Sequence, residues 1–272
     1  MSGARVAVVQ FPGVNCEAET MRALERAGLR AEVFRWTRPA GELSGFDAYV
    51  LPGGFSYQDR VRAGVLAAKD PLVGVLAERA EAGRPVLGIC NGAQVLVEAG
   101  LVPGGGGVGL ALARNRMPAR DGYYTRWVTC RVEASPCVFT RRLEPGTLLP
   151  LPIAHGEGRF VSGRRGAMAK LVAAGQVPLR YAQAGGEPAA GFPDNPNGAE
   201  QAAAAVCNAR GNVLAMMPHP ERVLDAGASA RATGGEWGRR QREALARGGA
   251  LALEDSPGME LFTGLRAHLE EA

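Results

Sequence analysis

Two rhythms of hydrophobic and polar positions divide this 272-residue chain. In the first hundred residues, short apolar runs alternate with segments of helical period. "RVAVVQF" (5–11), "AEVFRW" (31–36), "DAYVLPGG" (47–54) and Pro85 to Ile89 predict strands. Helices are predicted from Glu17 to Ala27, ending at Gly28, and over 70–83, with Gly83 as the stop. Strand, helix, strand, loop, strand, helix is the order of an α/β fold with a doubly wound, mostly parallel sheet flanked by helices.

From Tyr124 the rhythm changes to shorter β-like pieces, "YTRWVTCRVE", "LLPLPIAH", "QVPLRYAQ", "AAAAVCN" and "NVLAMMPH". They predict a smaller antiparallel portion, and Pro178 inside the third predicts an edge strand. Residues 224–257 read as loop with a helical part near Arg239–Ala246, and "MELFTGLRAHLEEA" closes the chain as an amphipathic helix. With no repeat and no linker, the reading is one domain over 1–272, with a core from 5 to 222 and a C-terminal extension from 223 to 272.

The chemistry gathers where a strand meets a helix. In "RPVLGICNGAQVLVEA" (84–99) an apolar run ends at Cys90, Asn91 and Gly92 read as turn residues, and helical periodicity follows from Ala93. Gly88 and Gly92 flank the cysteine as small residues flank the nucleophile of a strand-turn-helix elbow. A helix N-terminus favours an anionic sulfur there. Such a nucleophile needs a base, and the base needs an orienting acid. "MMPHPER" (216–222) supplies both at the end of the last strand, as His219 and Glu221. His155 and Glu157 in "AHGEGRF" repeat the spacing, but the terminal strand favours His219, leaving His155 to shape a loop or a partner surface. Acyl chemistry also calls for an oxyanion hole. The Asn91 amide and the "LPGG" turn, Gly53 or Gly54, are the candidates.

Composition narrows the setting. Five cysteines, Cys16, Cys90, Cys130, Cys137 and Cys207, form no C-x-x-C pair, which argues for free thiols in a reducing, cytoplasmic compartment. The three histidines are too far apart for metal-ligand spacing, so no metal site is expected. No run of 18 apolar residues marks a membrane span, and the N-terminal apolar stretch is short for a signal peptide. The net charge of +4 comes from scattered arginine pairs rather than a basic, aromatic-laced patch, which disfavours a nucleic-acid partner. "GFSYQ" lacks the last glycine of a serine elbow, because Gln58 stands there.

"GICNGAQ" resembles the G-x-C-x-G-x-Q signature of class I, triad-type glutamine amidotransferases. Together with "LPGGFSY", "NGAQVLVEAGLVPG", "PIAHGEGRF", "NPNG" and "MMPHPER", it resembles one branch, the PurQ glutaminase subunits of phosphoribosylformylglycinamidine synthase. The resemblance runs from about Arg5 to Arg222. It implies Cys90 as nucleophile, His219 as base, Glu221 as its acid, Gly53, Gly54 and Asn91 around the oxyanion, and Gln94 in contact with glutamine. It further implies delivery of ammonia to a large synthetase subunit, PurL, often with a small PurS. No cofactor is expected on this chain. ATP and Mg are expected on the partner, since the sequence has no G-x-x-x-x-G-K-[ST] loop, and Gly104 to Gly109 follows a helix end rather than a strand. Two departures stand out: Gln58 where the branch usually has glycine after "GGFSY", and the glycine-richness of "PGGGGVGLAL". The alternatives are an amidotransferase domain of another pathway (carbamoyl phosphate, GMP, CTP or anthranilate) or a non-catalytic scaffold module. "HGEGRF" and "NPNG" weigh against the first, and the complete Cys, His and Glu set weighs against the second.

Overall fold

Apolar runs too short to be helices pair into a single nine-stranded sheet. A computed structural model describes residues 3–105, 107–224, 235–246 and 256–271. The parallel half contains β1 (Arg5–Gln10), β2 (Arg30–Arg35), β3 (Ala48–Leu51), β4 (Val86–Ile89) and β11 (Val213–Met216). Every residue of β3, β4 and β11 is buried, as expected of strands covered on both faces. Helices α1 (Glu17–Arg26), α2 (Pro71–Glu81) and α3 (Asn91–Glu98) connect these strands. Helix α2 starts where the Asp70 carboxylate accepts from the Leu72 amide at 3.0 Å and Pro71 occupies the first turn.

The antiparallel half continues the same sheet through β10 (Ala203–Cys207), β9 (Leu179–Ala182), β6 (Tyr124–Val132) and β7 (Leu148–His155). Strand β9 lies between β10 and β6, so Pro178 does not mark an edge. It precedes the strand, and its carbonyl accepts from the Glu133 amide. The prolines of an edge are Pro150 and Pro152 in β7, the last strand, where a missing N–H costs no ladder bond. A separate two-stranded antiparallel piece, β5 (Leu110–Ala113) with β8 (Arg159–Ser162), carries the end of "HGEGRF", and α4 (Ala167–Ala173) follows it. Neither of these strands nor α4 is marked by the sequence pattern.

Past residue 222, α5 (Gly235–Ala246) covers the expected helical part at 239–246, while 225–234 and 247–255 of the expected loop lie outside the described residues. The closing helix α6 (Met259–Glu271) is an integral part of the core. Met259, Leu261, Phe262 and Leu265 are buried, and a Cβ on Gly264 would lie 2.4 Å from the Phe139 carbonyl oxygen. Among the described residues, no helix is long and apolar enough to cross a membrane.

Candidate active site

Helix α3 begins at Asn91, two residues earlier than the pattern predicts, because the turn is concentrated in Cys90 itself, at φ 51° and ψ −103°. A non-glycine residue in that region is strained, and such strain clusters at functional sites. The flanking glycines are required by close approach. A Cβ on Gly92 would lie 1.9 Å from the Leu51 carbonyl oxygen, and one on Gly88 would lie 2.6 Å from that of Gly92.

Strand register then brings in the histidine. Strands β4 and β11 are parallel neighbours with Ile89 opposite Met216, and the Cys90 amide donates to the Met216 carbonyl at 2.8 Å. Three residues past Met216, the chain reaches His219 and curls through a short 3-10 turn at Pro220–Arg222. That turn folds Glu221 back beneath the imidazole, where its Oε1 lies 2.5 Å from His219 Nδ1. Both side chains are almost wholly excluded from solvent. Burial opposes a charged imidazole, but the Glu221 carboxylate and the thiols of Cys90 and Cys16 outweigh it and hold the His219 pKa well above its usual value. Cys90 Sγ is turned toward the Ala154 carbonyl oxygen at 3.6 Å, and His219 Nε2 has no hydrogen-bond partner. Edge strand β7 curls over this end of the sheet, since the Pro152 carbonyl accepts from the His219 amide at 2.9 Å.

The two glycines of "LPGG" have different roles. Gly53 lies against the imidazole, where a Cβ would stand 2.8 Å from His219 Cε1 and 3.1 Å from Cys16 Sγ. Gly54, at φ 148°, lines a cleft of about 120 Å³ with Cys90 and Gln94. The Asn91 amide is the first of α3 and so has no intrahelical acceptor. The Asn91 side chain fastens the loop to the helix: Oδ1 accepts from the Ser56 amide, and Nδ2 donates to Gln94 Oε1 and Asp59 Oδ1. Gln94 in turn donates to the Glu157 carbonyl at 2.7 Å, so both ends of its amide are engaged within the protein.

Several site residues carry no signal in the sequence pattern. Cys16, at the start of α1, reaches the His219 ring from a distant segment, and Arg222 donates to its sulfur at 3.1 Å. Cys16, His219 and Glu221 bring a thiol, an imidazole and a carboxylate within 4.8 Å of one another. The Arg222 guanidinium on that sulfur and the His219–Glu221 hydrogen bond leave little there for a second cation. Asp59 and Glu157 face the cleft. Burial first, then the neighbouring Glu157 carboxylate, raises the Asp59 pKa to about 6, against a hydrogen bond from Asn91. The loop that carries Asp59 holds Tyr57, Gln58 and Asp59 at φ 53°, 59° and 52°. Gln58 thus adopts the left-handed conformation that suits the glycine expected at its position.

His155 is not on a surface: it is 2% exposed and lines the cleft. Asn115 donates its amide to the Gly122 and His155 carbonyls, so its Oδ1 faces His155 Nδ1 at 3.1 Å and the Gly158 amide at 3.0 Å. That network assigns the ring proton to Nδ1. Burial, with a smaller push from His219, lowers the His155 pKa to about 3 and keeps the ring neutral. The two motifs that weigh against other pathways meet here, as Asn197 of "NPNG" donates to the carbonyl of Gly158 in "HGEGRF" at 2.8 Å.

This arrangement has counterparts among known proteins. The family model of the CobB/CobQ-like glutamine amidotransferase domain matches residues 3–264. A phosphoribosylformylglycinamidine synthase subunit PurQ from Methanothrix thermoacetophila is 44% identical, with 98% of each chain covered. The subunit of that name from Thermomicrobium roseum is 47% identical over 87% of this chain and 92% of its own. In the structure of PurLQS from Thermotoga maritima, one chain superposes with a TM-score of 0.67 at 32% identity, covering 91% of this chain and 99% of that one. The chain therefore belongs to the CobB/CobQ-like glutamine amidotransferases and, within them, to the PurQ subunits of phosphoribosylformylglycinamidine synthase.

Proposed function

We propose that this chain is the glutaminase subunit of phosphoribosylformylglycinamidine synthase, and that Cys90 carries its chemistry. The supporting observation is the register of β4 with β11, which sets the strained Cys90 beside an imidazole held by Glu221. An imidazole whose pKa lies well above the usual range takes the thiol proton and leaves a thiolate in the cleft. The thiolate attacks the side-chain carbonyl carbon of glutamine, and the carbonyl electrons move onto oxygen. The amides of Asn91 and Gly54 donate to that oxyanion in this reading, each such donor being worth about 10²–10³ in rate. His219 returns its proton to the departing nitrogen, the C–N bond breaks, and ammonia leaves a γ-glutamyl thioester on Cys90. Water activated by His219 then hydrolyses the thioester to glutamate.

The ammonia passes to a synthetase subunit, PurL, with PurS as a third member. The name of the Thermotoga maritima assembly, PurLQS, supports that composition. ATP and Mg belong to the synthetase subunit. Cys90→Ser is expected to abolish glutamine-dependent synthesis while the complex still works with added ammonium. Glutamine turnover surviving in Cys90→Ala would overturn the assignment of the nucleophile.

A further inference from the structure

The cleft beside Cys90 has an asymmetric set of polar groups. Its charged side chains are Asp59 and Glu157, and among the described residues neither Lys nor Arg lines it. His155 adds a third acceptor. Its Nδ1 proton is committed to Asn115, its ring is kept neutral by burial, and its Nε2 is buried without a partner. Gln94, whose amide could have served either sign of charge, is occupied at both ends. A buried acceptor with nothing to accept from is costly to a fold, so its persistence points to a donor supplied by the ligand.

The two carboxylates are also close enough to repel each other. Desolvation and the Glu157 charge make the ionised form of Asp59 expensive in the empty cleft. The chain holds Asp59 there through three consecutive left-handed residues, none of them glycine, and through a hydrogen bond from Asn91 Nδ2 at 3.3 Å. A second tie fixes Glu157, whose Oε2 accepts from the Ala63 amide at 3.3 Å. The charge repulsion built into that wall is relieved by a cation carrying several N–H donors.

Resting on the glutaminase reading above, we propose that Asp59 and Glu157, with His155 Nε2, form the subsite for the α-ammonium of glutamine. They would thereby be the residues that select an amino-acid amide over a plain carboxamide. The reacting carboxamide lies toward Cys90, and the ammonium lies toward the Asp59–Glu157 wall. A primary ammonium has three N–H donors, which suits three separate acceptors. The subsite acts on binding rather than on bond breaking.

The test compares glutamine with 4-carbamoylbutanoate, which is glutamine without its α-ammonium, in the assembled synthetase. Wild type is expected to prefer glutamine strongly. In Asp59→Asn the KM for glutamine should rise about 10- to 100-fold, as for loss of a charge-assisted hydrogen bond. The kcat should stay close to wild type, and the KM for 4-carbamoylbutanoate should be unchanged or lower. Alkylation of Cys90 by neutral iodoacetamide should keep its wild-type rate, reporting an intact nucleophile. Glu157→Gln gives the same comparison if Asp59→Asn does not fold. Equal losses on both substrates would overturn the subsite. A wild-type complex that turns over neither substrate would overturn the glutaminase reading itself, which is a separate result.

Discussion

The chain contains His-x-Glu three times, and two of the copies, at 155–157 and 219–221, do opposite things. In 219–221, a 3-10 turn brings Glu221 under its own histidine, and the carboxylate favours a protonated ring. In 155–157 the histidine ends an extended strand, so Glu157 is carried away from it. Glu157 reaches instead for the Ala63 amide, and the histidine turns to Asn115. Both rings are buried, so burial alone does not decide their charge. What decides it is whether the third residue returns to the ring, which is a property of backbone conformation rather than of residue type. The same pair of side chains thus yields an imidazole that favours its proton in one place and a neutral ring in the other.

The largest expected effect separates the two histidines directly. His219→Ala is expected to lower glutaminase kcat about 10²–10⁴-fold, the range for a general acid–base, and to slow Cys90 alkylation with it. His155→Ala is expected to leave alkylation near the wild-type rate, because it holds no proton for the thiol. Alkylation slowed equally by both changes would erase the distinction.

How much of this could be read in the sequence depends on the range of the interaction. The buried strands and the turn at Cys90 follow from local patterns, and the rule that sites form at strand ends is what favours His219 over His155. The sequence pattern starts α3 too late because Asn91 and Gly92 read as turn residues, whereas the elbow confines the turn to Cys90. Pro178 misled because a proline outside a strand and one on its edge look alike in sequence, and only the pairing order shows that β9 is interior. Cys16, Arg222 and Asn115 were invisible since each meets its partner across distant segments: Cys16 reaches the His219 ring, Arg222 the Cys16 sulfur, and Asn115 holds His155. The left-handed run at Tyr57–Asp59 was hidden for the opposite reason, in that it has no glycine to announce it.

Asp59 sharpens the comparison through stability. Its folded pKa, about 6, exceeds the ordinary 3.8, so the folded state binds the proton more tightly than the unfolded one. Its contribution to stability is therefore full below about 3.8 and lost as pH rises through about 6. At pH 7.5 Asp59→Asn should stabilise the chain by about 1–2 kcal/mol, after allowance for partial exposure. At pH 4 the gain should vanish. A residue kept for function at the expense of the fold gives this signature, stability rising while glutamine binding weakens. Urea midpoints at the two pH values measure it, and destabilisation at pH 7.5 would show that Asp59 serves the loop rather than the ligand.

The smallest effect reads the charge of His155 itself. Its pKa falls from 6.5 to about 3 on folding, so the unfolded chain takes up the proton first as pH drops. The stability this ring contributes is present above 6.5 and is lost as pH falls from 6.5 toward 3, with a slope of about 1 kcal/mol per pH unit for one proton. Between about 6 and 3.8 Asp59 has the opposite slope, so the two groups partly cancel in the wild-type profile. His155→Gln removes one side of that balance. The difference in urea midpoint between His155→Gln and wild type should then move steadily in favour of the variant as pH falls below 6.5. In an Asp59→Asn background the same His155 difference should persist, because the two groups titrate on separate carriers. A difference that stays constant with pH would mean that the folded protein protonates His155, and Asn115 would then not be holding a neutral ring with an unpartnered Nε2.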